Sequence, residues 1–191
     1  MTAATRGPGL SFSHMGFYVK DLPAMEAFYR RVVGFTVTDR GHLPTSRGLV
    51  DLVFLSRDPE EHHQIVLASG RPEDLPFNVI NQISFRLSGI AELRNLYERV
   101  RAEPNVTEVL PVTHGNAISV YFRDPEGNRL EIFFDTAWYC TQPMREPVDF
   151  KLSDEQIIEQ SDRIAHSAPT CVPRGEWVAD MRRRMEAGIH A

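Results

Sequence analysis

Nowhere in the 191 residues does an apolar run approach the ~18 that a membrane-spanning helix needs. The first nine residues are small and polar, without the charged start and apolar centre of a secretion signal. These absences lead us to expect a cytoplasmic protein with no membrane partner and a flexible lead-in over residues 1–10. Basic blocks are missing too. The formal net charge is −5, so the chain offers nucleic acid no electrostatic footing. Cysteine is scarce: Cys140 and Cys171 are the only two, both towards the C-terminal end. They make no metal-binding spacing and read as reduced thiols. The remainder, 42% hydrophobic and 25% charged, is a globular composition, with enough chain for one full domain and a tail.

What the sequence does hold is concentrated in residues 120–135, VYFRDPEGNRLEIFFD. An apolar run, a turn and a second apolar run spell a hairpin. Pro125 presets φ for the turn, and Gly127 supplies the positive φ that closes it. Inside the second run stands one acid, Glu131, among Leu130, Ile132, Phe133 and Phe134. Strand alternation can turn it to solvent, the usual place for a charge. Turned inward, it requires a cation or hydrogen-bond donors.

Upstream of the hairpin one pattern runs twice. Residues 11–19 read as a strand containing His14. Asp21 caps a helix whose apolar residues Met25, Phe28, Tyr29, Val32 and Val33 keep helical spacing, and Gly34 ends it. Strands follow at 35–39, 49–55 and 64–68, then a connector with two prolines over 70–78. The second copy opens with a strand at 80–87 and a cap at Ser88, before a helix face of Leu93, Leu96, Tyr97 and Val100. It closes with strands at 106–109, 118–122 and 130–134. At an offset of 68 residues Phe17 falls on Phe85, Val19 on Leu87, Tyr29 on Tyr97 and Val32 on Val100, which marks a tandem duplication.

Each unit can bury only one face of its sheet. The expected fold is therefore α+β, with two tandem βαβββ modules, residues 11–70 and 78–137, forming a cupped, open-barrel mixed sheet around a shared cavity. Residues 138–191 add a C-terminal helical extension. In it Ser153 and Gln156 form a capping box, and Trp177, Met181 and Met185 share one face of a helix that starts near Pro173. Such helices wrap the preceding domain or build a dimer contact. Trp138, Tyr139 and Cys140 directly follow the Glu131 strand and are placed to shape the cavity mouth. At the repeat offset His14 falls on Gln82. Polar residues from different strands can thus converge with Glu131 on the cavity, as a metal site requires.

The duplicated unit, the strand–helix opening of each half and the DPEGNRLE motif resemble the vicinal oxygen chelate superfamily, over about residues 11–137. That group includes glyoxalase I, antibiotic-resistance proteins and extradiol ring-cleaving dioxygenases. The finer match is to small one-domain type I extradiol dioxygenases. Their iron is held by a histidine in the first strand of one module, a histidine in the first strand of the next and a glutamate in the last strand. On that resemblance His14 and Glu131 fill the first and third positions, and Gln82, in NQISF, stands at the second. An amide oxygen is a weaker ligand for a divalent transition metal than imidazole, although some glyoxalase I relatives use glutamine. Tyr121, ten residues before Glu131, and His114-Gly115 match further family positions.

The family's acid/base histidine falls within His62-His63-Gln64-Ile65. Adjacent strand residues face opposite ways, so only one of the two histidines looks inward. The family pattern selects His63, and a one-residue shift selects His62 or Gln64. The resemblance therefore implies an extradiol dioxygenase, with Fe(II), Mn(II) or another divalent metal on His14, Gln82 and Glu131. His63, Tyr121 and His114 would be catalytic, a catechol-type aromatic diol and O₂ the substrates, and a homo-oligomer the assembly. A glyoxalase-like isomerase or lyase and a metal-free small-molecule-binding protein are the other classes this fold admits.

Overall fold

The computed structural model describes residues 11–46, 48–75 and 77–188; the expected lead-in over residues 1–10 lies outside them. The first module runs β1 (Met15–Val19), α1 (Leu22–Phe28), β2 (Thr36–Thr45), β3 (Gly48–Ser56) and β4 (Ile65–Ser69). The second runs β5 (Ile83–Arg86), α2 (Ile90–Ala102), β6 (Thr107–Thr113), β7 (Ala117–Arg123) and β8 (Arg129–Asp135). The tail adds β9 (Trp138–Tyr139), β10 (Glu146–Pro147), α3 (Asp154–Ser167), β11 (Val172–Pro173) and α4 (Arg174–Gly188).

Both modules build the same mixed sheet, β1-β4-β3-β2 and β5-β8-β7-β6, so the sequence repeat is a repeat of topology. In each, the first and last strands pair in parallel and the rest antiparallel. The two sheets do not close into a barrel. β10 from the tail pairs with β6 and extends the second sheet.

Local chemistry sets the helix ends. The Asp21 carboxylate accepts the Ala24 N–H at 3.0 Å, opening α1. A π-helical turn, Tyr29–Val33, then leads to Gly34, whose φ of 86° ends the helix. The cap expected at Ser88 falls one residue later, on Gly89, because Ser88 uses its N–H (2.9 Å) and hydroxyl (2.8 Å) on the Glu92 carboxylate. α2 buries Leu93, Leu96 and Val100 against the second sheet, each contributing about 1.5–3 kcal/mol of apolar burial.

The β7–β8 turn also joins the modules. Asp124 Oδ1 accepts the N–H groups of Glu126 (3.0 Å) and Asn128 (2.8 Å), and Gly127 at φ 78° closes the turn. Its tip reaches the first module. Glu126 Oε1 accepts the N–H groups of Lys20 (2.7 Å) and Asp21 (2.8 Å), while Tyr29 donates to Asp124 Oδ2 at 3.3 Å. Burial, with Asp124 beside it, pushes the Tyr29 phenol well above its ordinary range. Phe35 meets Phe85 edge-on at 5.4 Å across the same joint.

The tail wraps the second module. Ser153 and Gln156 form the expected capping box. Arg94 on α2 donates to Asp154 (2.7 Å) and to the Phe150 and Leu152 carbonyls (2.6 and 2.8 Å). Trp138 packs on α3 by donating to Asp162 at 3.0 Å, and Tyr139 stacks on Trp177 at 4.8 Å. Of the helical stripe expected in α4, Met185 is left 62% exposed, so the stripe is only partly covered. No helix among the described residues is long and apolar enough to cross a membrane.

Candidate functional site

Glu131 lies inside the second sheet, on β8 between β7 and the edge strand β5. In register it sits opposite Tyr121 on one side and Ser84 on the other. That register explains the ten-residue spacing in the sequence: Tyr121 and Glu131 stand equally far from Glu126, at the tip of one hairpin. Ser119, two residues before Tyr121, shares its face of the strand.

The inward reading of Glu131 holds: the residue is only 8% exposed. One carboxylate oxygen accepts hydrogen bonds from Tyr121 OH (2.5 Å) and Ser119 Oγ (2.9 Å). The other accepts from Ser84 Oγ (2.6 Å) and Gln82 Nε2 (2.9 Å). A buried carboxylate is tolerable only when satisfied in this way. His114 extends the network, with Nε2 at 3.0 Å from Tyr121 OH and Nδ1 donating to the Met144 carbonyl at 2.6 Å. Imidazole, phenol and carboxylate thereby form a continuous path along which a proton can pass. Burial first, and the Glu131 charge second, push the Tyr121 phenol far up, so it stays protonated and donates. The Arg129 guanidinium lies over its ring at 4.6 Å.

Of the six residues singled out from the sequence, four thus meet: Gln82, His114, Tyr121 and Glu131. His14 and His63 form a separate cluster. Their rings lie 4.1 Å apart, His63 also meets Phe54 at 5.2 Å, and its Nδ1 is 2.8 Å from that of His62. His14 is exposed and precedes β1, because the ladder with β4 starts only at Met15. Burial, followed by the neighbouring His14 and His62, holds His63 below its ordinary value. Ser84 and Ser119 belong to the site and were not legible as such; their only signal is position, Ser84 opposite Glu131 and Ser119 two residues from Tyr121 on the same face.

A cleft of about 980 Å³ opens between the starts of β1, β4 and β5. Its walls include Met15, Ile65 and Phe85 on the apolar side and Gln64, Gln82 and Ser84 on the polar side. Among His62, His63 and Gln64, it is Gln64 that faces this space. Gln82 and Ser84 therefore touch the cleft and hold Glu131 at once.

The metal that the sequence resemblance implies needs lone pairs left free on its ligands. An ionised carboxylate offers about four, and four donors already occupy those of Glu131. Gln82 turns its nitrogen to the carboxylate, and His14 Nδ1 lies 3.1 Å from Ser13 Oγ. Among the described residues, no three His, Cys, Asp or Glu side chains gather into a group that could hold an ion. In this arrangement the donor set does not fit a resident metal.

Comparison with known proteins agrees with the fold. Residues 11–132 match the family model of the glyoxalase/bleomycin resistance protein/dioxygenase superfamily. Over 128 residues the chain is 30% identical to biphenyl-2,3-diol 1,2-dioxygenase 3 of Rhodococcus globerulus, covering 64% of this chain and 62% of that one. The chain thus spans about three fifths of that relative's length. It is also 26% identical over 121 residues to the uncharacterized protein YwbC of Bacillus subtilis (strain 168), covering 63% of this chain and 94% of YwbC. Among solved structures, a glyoxylase/bleomycin resistance protein/dioxygenase domain from Frankia sp. EAN1pec superposes with a TM-score of 0.54 at 24% identity, over 66% of this chain and 93% of the other.

Proposed function

This chain belongs to the glyoxalase/bleomycin resistance protein/dioxygenase superfamily, and on that footing we propose that it binds a small hydroxylated aromatic compound in the cleft between its modules. In this reading it handles the ligand's proton through the Glu131 network, without a resident metal. One observation carries the proposal: Gln82 and Ser84 line the cleft and are bonded to Glu131. A ligand hydroxyl that engages either side chain is thereby coupled to a carboxylate, a phenol and an imidazole in series. The apolar wall of Met15, Ile65 and Phe85 suits a flat ring, and a few convergent polar groups suit its oxygens. The ligand class is suggested by the biphenyl-2,3-diol dioxygenase, whose name gives an aromatic vicinal diol.

The same relative favours a second reading, Fe(II)-dependent extradiol cleavage of such a diol with O₂. For that, Glu131 would have to exchange protein donors for the ion, and His14 would have to leave His63.

One set of measurements separates the two. Protein purified without oxygen is assayed for bound metal, titrated with catechol by tryptophan fluorescence with and without a chelator, and tested for catechol-dependent O₂ uptake. We expect binding that the chelator leaves unchanged and no O₂ uptake. Ser84→Ala should weaken binding by roughly 3–10-fold, the worth of one hydrogen bond. One iron per chain, with O₂ uptake and a yellow ring-fission product, would establish the extradiol reading instead. Absence of catechol binding would remove the first proposal.

A further inference from the structure

The tail brings the chain's only two cysteines together. β9 and β11 pair Tyr139 with Val172 and Trp138 with Pro173 in antiparallel register. Carried one residue further, that register sets Cys140 directly opposite Cys171. Bonds on either side keep the alignment: Arg174 N–H donates to the Ala137 carbonyl at 2.8 Å, and Thr141 N–H donates to Thr170 Oγ1 at 3.0 Å. Opposed residues of an antiparallel pair point to the same face. Counting from the bonded pair Ala137–Arg174, the alternation of the ladder makes Cys140–Cys171 a non-hydrogen-bonded pair, with Cα atoms about 4.5 Å apart. Disulfides span Cα separations of about 4.4–6.8 Å. Both thiols are free, Cys140 buried and Cys171 half-buried.

We propose that Cys140 and Cys171 form a reversible intramolecular disulfide when the chain meets a hydroperoxide. The roles of the two thiols differ. Burial first, and the nearby Cys171 second, push the Cys140 thiol up, which leaves the more accessible Cys171 to meet the oxidant. The Cys171 thiolate attacks a peroxide oxygen, the O–O bond breaks, and a sulfenic acid forms as an alcohol or water departs. The Cys140 sulfur then attacks that sulfenic sulfur. The S–S bond forms, the S–O bond breaks, and the hydroxyl leaves as water with the Cys140 proton. One peroxide is reduced by two electrons for each dithiol oxidised, and an external dithiol reverses the step.

The position gives the bond a consequence. The Cys140 sulfur lies 3.4 Å from the His114 carbonyl, and a Cβ built on Gly115 would come within 2.6 Å of it. The crosslink therefore fastens the tail immediately behind the imidazole that leads to Tyr121 and Glu131.

The test uses the full chain, reduced and then titrated with hydrogen peroxide. Free thiols are counted, the intact mass is measured, and the unreduced protein is digested and mapped. We expect both thiols to disappear together for each equivalent of peroxide, with a mass lower by two hydrogens. The Cys140 and Cys171 peptides should be joined, and dithiothreitol should separate them. Closing this loop should also raise the melting temperature by roughly 5–10 °C. Cys171→Ser should leave Cys140 reduced at the same peroxide dose. Crosslinking between chains, or oxidation of Cys171 to sulfinic acid while Cys140 remains a titratable thiol, would overturn the proposal.

Discussion

Glutamine at position 131 keeps the shape of the glutamate and removes its charge, which makes Glu131→Gln a measure of what the four donors do. Each hydrogen bond to a charged acceptor contributes about 1.5–3 kcal/mol, against about 1 kcal/mol for a neutral one. The new amide can keep its oxygen towards Gln82 and Ser84, since the Gln82 nitrogen cannot become an acceptor. Its nitrogen then faces Ser119, whose hydroxyl can turn and accept, and Tyr121, whose proton can be redirected to His114 Nε2 at 3.0 Å. All four partners survive at neutral strength, a loss of about 1 kcal/mol apiece. The lower desolvation cost of an uncharged group returns about half of that. The metal-free variant should therefore be less stable by about 2 kcal/mol, a fall in melting temperature of roughly 4–8 °C for a chain of this length. Thermal unfolding followed by circular dichroism in the presence of a chelator reads this directly. A variant as stable as the parent, or more stable, would refute the reasoning. It would show the carboxylate to be a strained group held ready for a cation.

Three further outcomes follow from the same geometry. Gln82→His should leave the purified protein with well under one iron per chain by elemental analysis, because Glu131 keeps at least three of its donors; a full equivalent would mean that the network yields to the ion. His63 should titrate below 6.5 by NMR, and His14→Phe should move it back up by removing one of its neighbours. Because the unfolded chain takes up that proton more readily, His63 makes stability decline as pH falls from 6.5 towards its own lower value, and a titration at or above 6.5 would contradict this. Trp177→Ala removes the stack on Tyr139 and should accelerate amide exchange across α4 while exchange in β5 to β8 stays unchanged; equal acceleration in the sheet would show that the tail is integral to the core.

The sequence disclosed topology better than contact. The repeat offset works because apolar residues such as Phe17 and Phe85, or Val32 and Val100, must face the core at matching points of each module. The Tyr121–Glu131 relation was legible because a tight hairpin converts symmetry about Glu126 into contact. The strand expected over residues 11–19 starts later: alternation runs on before Met15, yet the parallel ladder with β4 begins only at Met15 and Ile65, which leaves His14 just ahead of it. Ser84 and Ser119 carried no signal, because a serine in a strand is ordinary until the register sets a carboxylate beside it. The joint formed by Glu126 was equally hidden. Its acceptors meet backbone N–H groups of Lys20 and Asp21, and any residue other than proline supplies those.

The pairing of β10 with β6 leaves the two duplicated sheets unequal at their outer margins. An unpaired strand edge is a template on which another chain can add. On the second sheet β10 occupies that margin. The corresponding strand of the first sheet, β2, pairs with no second strand among the described residues and guards itself with a bulge between Val37 and Asp39, a proline at Pro44, and the polar, exposed side chains of Asp39, Arg40 and His42. One copy of the repeat protects its edge by sequence alone, and the other adds two residues borrowed from the tail. β6 keeps guards of the same kind ahead of that cover, a bulge between Thr107 and Leu110 and a proline at Pro111, and β10 shields the end beyond them, at Val112 and Thr113. Loss of residues 138–191 would therefore uncover only the Val112–Thr113 end of β6, and the bulge and Pro111 would be left to discourage self-association through the rest of that edge.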